Sequence, residues 1–151
     1  MLDDEAATAR LGAALASCVR ASLKIYLSGD LGTGKTTLVR ALLRAAGIEG
    51  RIKSPTFTLL ESYNLSRLYF YHFDFYRLND PVEWEDAGFR ELFAGDGVCL
   101  VEWPERVGDA LPPPDLRIAL THRDGGRAAH LVALSRAGRD CLHSIERVLA
   151  P

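Results

Sequence analysis

Apolar positions recur at helical spacing in residues 3–20, where Leu11, Leu15, Cys18 and Val19 fall on one side and Asp3 or Asp4 stands where a cap belongs. The run LKIYLSG, residues 23–29, is short, apolar and closed by glycine, so it reads as a buried strand. Residues 35–47, KTTLVRALLRAAG, return to helical spacing with Leu38, Leu42 and Ala45 on one face, and Gly47 suits the end of that helix.

Pro55 pushes Ser54 out of the helical region, so SPTF opens as a loop. The chain then continues through β-branched and aromatic residues as a strand in TLLESYN. RLYFYHFDFY, residues 67–76, is a second such strand, and the two are expected to pair antiparallel. DPVEWEDAGFRELF, residues 80–93, reads as one helix with Asp80 as cap and Pro81 at its first position. GVCLVEW is a nearly continuous apolar strand, as in the middle of a sheet covered on both faces. After a loop in PERVGDALPPPD, LRIALTH and RAAHLVAL flank RDGG as a hairpin, and residues 138–149 close as a helix. There is no internal repeat, low-complexity segment or linker. The expected fold is α/β in one domain over residues 1–151, with a mixed sheet that has a parallel centre and antiparallel additions.

Composition changes this picture little. Of 151 residues, 48% are apolar and 25% charged, ordinary for a globular protein. A net charge of −2 argues against a strong nucleic-acid binder, which needs clustered basic residues. The only lysines are Lys24, Lys35 and Lys53, a bias toward arginine that carries no functional reading. Cys18, Cys99 and Cys141 are scattered and odd in number, which suggests reduced thiols in a cytosolic protein. The acidic start MLDDEAATAR does not resemble a signal peptide, and no run approaches a membrane span. A cytoplasmic location is expected.

The chemistry begins at GDLGTGKTT, residues 29–37, which fits G-x-x-x-x-G-K-[ST] between an expected strand and an expected helix. Gly29, Gly32 and Gly34 allow a tight turn that points N–H groups at phosphate oxygens, and the helix dipole reinforces the same anion site. Gly32, Thr33, Gly34, Lys35, Thr36 and Thr37 are the nucleotide-binding candidates. Lys35 can reach the β- and γ-phosphates, and Thr36 offers a hydroxyl to Mg²⁺.

Such a loop needs a carboxylate at a neighbouring strand end. Glu102 ends one apolar run and Asp74 another; as caps or ion-pair partners they would mean nothing, but a phosphate loop upstream favours Glu102 for the metal and Asp74 for the attacking or metal-bound water. Ser54 and Thr56 stand where switch-type NTPases sense the γ-phosphate, or else in an ordinary strand-entry loop. Trp103 should rim the site. Arg127 can reach a phosphate, though a solvated side chain is the plainer reading. His72 and Asp74 should share a sheet face, with the histidine read as core or surface. His122, His130 and His143 lack ligand spacing, and Trp84 reads as packing its helix.

GDLGTGKTT, KSPTFTLLESY, YHFDFYRLNDP and CLVEWPERV, in that order and spacing, closely resemble the bacterial TsaE family, also called YjeE, over roughly residues 3–135. The phosphate loop is widespread, but SPT, HFDxYRL and EWPE downstream of it are specific. The resemblance implies a three-layer P-loop NTPase-like fold, a single P-loop ATPase domain over residues 1–151, and an ATPase required for threonylcarbamoyladenosine on tRNA. It implies ATP phosphates on Gly32 to Thr37, Mg²⁺ on Thr36 and Glu102, and a role for Asp74 in turnover. It also implies a TsaB–TsaD-type partner complex, in which TsaD transfers the threonylcarbamoyl group, a separate enzyme makes the activated intermediate, and ATP hydrolysis resets the complex. On this reading tRNA is met only indirectly. Thr33 departs from the Ala or Ser usual in the family.

Rival readings exist. A small-molecule kinase would use Asp74 as base toward an alcohol, with DFYRL holding the acceptor, but no arginine-rich lid is evident. A guanine-nucleotide switch lacks N-K-x-D, since the only asparagines lie in YNLS and LNDP. A non-catalytic module would not need Lys35, Thr36 and two strand-end acids together.

Overall fold

Along residues 1–151 the computed structural model runs α1 (Glu5–Ala16), β1 (Lys24–Ser28), α2 (Lys35–Ala46), β2 (Leu60–Leu65), β3 (Leu68–Asp74), α3 (Val82–Asp86), α4 (Phe89–Ala94), β4 (Val98–Glu102), β5 (Leu116–Arg123), β6 (Gly126–Ala133) and α5 (Arg136–Leu149). The six strands form one sheet in the order β2-β3-β4-β1-β5-β6. The β3–β4, β4–β1 and β1–β5 pairs are parallel, while β2–β3 and β5–β6 are antiparallel hairpins at the edges. The expected mixed, P-loop NTPase-like sheet is therefore observed.

Alternation along the strands sorts the core into two layers. Ile25, Leu27, Phe70, Leu100 and Ile118 pack against Leu11 and Leu15 of α1, Leu38 and Leu42 of α2, and Ile145 of α5. On the other face Tyr26, Phe73, Cys99 and Val101 meet Trp84, Phe89 and Phe93. All five residues of β4 are buried, which explains its unbroken apolar run. Trp84 is fully buried, as expected of a residue that packs its helix.

Several expectations are corrected. Residues 80–93 are not one helix: Gly88, at φ 75°, breaks them into α3 and α4, and the fold starts the first at Val82, with Asp80 Oδ1 accepting from the Val82 N–H. The first helix is shorter than residues 3–20; Asp4 caps it by accepting from the Ala7 N–H at 2.7 Å. The last helix begins two residues earlier than expected, at Arg136, because Ser135 caps it by accepting from the Gly138 N–H at 3.0 Å. Only Cys99 is a free thiol: Cys18 and Cys141 are joined as a disulfide that ties the end of α1 to α5. Sequence separation hid this pair, because the two helices meet only once both have packed on the same sheet face.

Candidate functional site

β1 ends at Ser28 and the chain turns through the phosphate loop into α2. Gly29 is demanded here by space as well as conformation, and Gly34 by its left-handed conformation. A side chain on Gly29, at φ 145°, would fall 2.4 Å from the Leu120 carbonyl oxygen. One on Gly34, at φ 96°, would fall 2.5 Å from Arg127 Nη1. Gly34 also starts α2, so the helix's first N–H groups open directly into the loop.

Three acidic or basic groups converge beside the loop because strand alternation aims them there. His72, Asp74 and Glu102 lie on the α2-facing side of adjacent parallel strands, and Asp74 stands opposite Glu102 in the register. Glu102 accepts from the Thr36 hydroxyl at 2.9 Å and 3.0 Å, one distance to each carboxylate oxygen. His72 Nε2 lies 2.6 Å from Glu102 Oε2, so that nitrogen carries the proton, and His72 Nδ1 has no partner. Asp74 Oδ1 accepts from the Tyr76 N–H at 2.9 Å, and Oδ2 from the Thr56 hydroxyl at 3.4 Å. Burial raises the Asp74 carboxyl above its ordinary value against the opposing Tyr76 N–H, and the charge of Glu102 adds to the rise.

Lys35 is largely buried and donates to the carbonyls of Gly29 and, at 3.0 Å, Asp30. Burial lowers its ammonium below the usual lysine value, while Glu102, Glu105, Asp74 and Asp30 pull it back up. Its Nζ also sits 4.2 Å from the centroid of the Trp103 ring. Trp103 itself holds a left-handed backbone, φ 57°, rarely adopted by a bulky residue, and packs on Tyr76 at 5.0 Å between ring centroids.

A cavity of about 440 Å³ joins these groups, lined by Leu31, Gly32, Gly34, Lys35, Thr36, Thr37, Thr56, Asp74, Tyr76, Arg77, Glu102, Trp103 and Arg127. Two candidates stay outside it. Thr33 turns inward, its hydroxyl donating to the Asp30 carbonyl at 2.8 Å and its N–H to the same oxygen at 3.3 Å. Ser54 is exposed and reaches the site only through Thr56, 2.8 Å from its hydroxyl. Sequence reasoning undervalued His72, whose signal was the two-residue step to Asp74, and missed Tyr76. Arg127 is not a free surface arginine: it lies against Gly34.

The oxygen donors fit a hard cation. Glu102 and Asp74 are buried side by side next to the Thr36 hydroxyl, and two adjacent buried carboxylates are costly unless positive charge compensates. No group of three His, Cys, Asp or Glu side chains gathers anywhere to hold a metal unaided. Mg²⁺ needs none, since it keeps waters and phosphate oxygens and takes one or two carboxylates.

Residues 2–129 match the family described as "Threonylcarbamoyl adenosine biosynthesis protein TsaE". The chain is 43% identical over 121 residues to the tRNA threonylcarbamoyladenosine biosynthesis protein TsaE of Haemophilus influenzae, covering 80% of this chain and 77% of that one. It is 45% identical over 96 residues to the protein of that name from Bacillus subtilis, covering 64% and 60%. The crystal structure of Bacillus subtilis YdiB superposes with a TM-score of 0.80 at 30% identity, over 95% of this chain and 90% of that one. Sequence match and shared fold agree, and the chain belongs to the TsaE family.

Proposed function

We propose that this chain is a cytoplasmic Mg²⁺-dependent ATPase, a single P-loop domain, that serves threonylcarbamoyladenosine modification of tRNA by cycling a TsaB–TsaD-type complex. The observation that carries the reading is the bond from the phosphate-loop hydroxyl of Thr36 to buried Glu102, with Asp74 beside it and Lys35 on the same cavity. The names borne by its relatives support the tRNA role.

Loop amides from Gly32 onward and the start of α2 bind the phosphates. Lys35 exchanges the Gly29 and Asp30 carbonyls for β- and γ-phosphate oxygens. Thr36 and Glu102 would hold Mg²⁺, which when bound would supply positive charge to neutralise the phosphates. Asp74 orients water for in-line attack on the γ-phosphorus. The bond to the β–γ bridging oxygen breaks, and the water's proton passes through Asp74 to the released phosphate. Thr56, bonded to Asp74, ties the 54–57 loop to this water position. No helix is long and apolar enough to cross a membrane, and the net charge of −2 supports contact with tRNA only through partners.

The test is ADP and phosphate release with and without Mg²⁺, with and without acceptor alcohols, and with the TsaB–TsaD pair. Mg²⁺-dependent release of both products without an acceptor is expected. ADP formed only with an acceptor would make the protein a small-molecule kinase instead.

A further inference from the structure

The acid pair occupies one flank of the phosphate loop, and the opposite flank carries a charge with no assigned purpose. In the sheet, β4 and β6 lie on opposite sides of β1, so Glu102 and Arg127 approach the loop from opposite directions. Arg127 is half-buried, lines the cavity, and has no carboxylate within ion-pair distance and no hydrogen-bond acceptor for its guanidinium. Its guanidinium is pressed against Gly34, where a β-carbon would lie 2.5 Å from Nη1 and 3.1 Å from Cζ. Its backbone is fixed from both sides. It pairs with His122 of β5, and with Leu2 through bonds of 2.7 Å and 3.0 Å. A half-buried, unpaired cation held at a phosphate loop is arranged for an anion.

Resting on the ATP-site reading above, we propose that Arg127 is a nucleotide-anchoring residue that binds the phosphates left behind in ADP, not the one that is transferred. Glu102, assigned to the metal, and Asp74, assigned to the water, mark the end of the loop where the γ-phosphate reacts, and Arg127 stands on the other side. Gly34 leaves the space through which the guanidinium reaches the loop. Its contacts are the same with di- and triphosphate, so they contribute uniform binding and leave the chemical step alone.

Calorimetric Kd values for ADP and a non-hydrolysable ATP analogue test this in the parent, Arg127→Ala and Arg127→Lys, with thermal melting of each nucleotide-free protein. Arg127→Ala should weaken both nucleotides by the same factor, about 10- to 100-fold. The loss should appear in KM and not in kcat, and Arg127→Lys should recover part of it. Unchanged affinity for both nucleotides, in a variant that melts like the parent, would overturn the proposal. So would a loss confined to kcat or to the triphosphate, which would make Arg127 an activating arginine. A parent that binds neither nucleotide fails at the ATP site itself, and the anchoring role falls with it.

Discussion

His72 and Glu102 form a buried hydrogen-bonded pair, Nε2 to Oε2 at 2.6 Å, with His72 on the strand next to the one that carries Glu102. The imidazole fixes the carboxylate's rotamer while Thr36 holds it from the loop side. Partners of this kind behind a metal ligand typically contribute 10- to 100-fold in metal affinity. His72→Ala should therefore weaken Mg²⁺ binding by about that factor while metal-free ADP binding stays near the parent's. Glu102→Ala should weaken Mg²⁺ at least as much. Mg²⁺ titration of both variants by calorimetry checks this; a lowered melting temperature with unchanged Mg²⁺ affinity would reduce His72 to packing.

Lys35→Ala should abolish turnover and weaken ATP by roughly 10- to 150-fold, since a charge-assisted phosphate contact is worth about 1.5–3 kcal/mol. The same side chain is a burden on the empty protein, because burial depresses its ammonium. A lysine whose folded value lies below its unfolded one costs stability at pH values beneath the folded value, and that cost fades as pH rises through the window between them. Lys35→Met, which keeps the aliphatic bulk, should melt above the parent at neutral pH without nucleotide and show no ATPase activity. Differential scanning calorimetry beside a phosphate-release assay reads both.

Asp74 carries the opposite sign. Its folded value is raised by burial, so the native state holds its proton more tightly than the unfolded chain does. Stability from this group is present at low pH and is lost as pH rises through the window from the unfolded value to the raised one. Asp74→Asn keeps an acceptor for the Tyr76 N–H and removes the charge, so it should stabilise the nucleotide-free protein at neutral pH. It should lower turnover by about 100-fold or more, with ATP affinity nearly intact. The parent's rate should fall on acidification as Asp74 protonates, and the Asn variant should lack that limb. An unchanged rate and a lowered melting point would make Asp74 a strand cap.

The parts that local chemistry dictates were legible in the sequence: the loop between β1 and α2, and the two acids at strand ends. Their meeting was legible only as alternation, because Asp74 faces Glu102 through a parallel register that no local signal encodes. The same holds for Arg127, which reaches Gly34 across β5, and for Cys18 with Cys141, brought together by two helices on one face. The single helix expected over residues 80–93 failed at Gly88, where a left-handed residue outweighs the flanking helical periodicity.

Isolated, the protein should hydrolyse ATP slowly, and docking should change the rate. Fast hydrolysis requires an extra positive charge on the γ-phosphate, often an arginine supplied by another chain. Here Arg127 stands on the flank away from the acids, and Arg77 is stacked 4.3 Å over the Phe57 ring. Leu31 on the cavity lining is 61% exposed, and Phe57, next to the lining residue Thr56, is 81% exposed, so water screens the charges that must act at the γ-phosphate. A TsaB–TsaD-type partner covering Phe57 and Trp103 would exclude that water. The 54–57 loop touches Asp74 through Thr56, so the docked surface and the reacting end of ATP share one element. Linkage then requires reciprocity: if docking favours ATP over ADP, ATP favours docking, and hydrolysis releases the partner. Association measured by calorimetry should be tighter by about 5- to 150-fold with a non-hydrolysable ATP analogue than with ADP. Phe57→Ala should weaken it while leaving ATP affinity of the isolated protein unchanged. Equal affinity in both nucleotide states, with a hydrolysis rate indifferent to the partner, would refute the coupling.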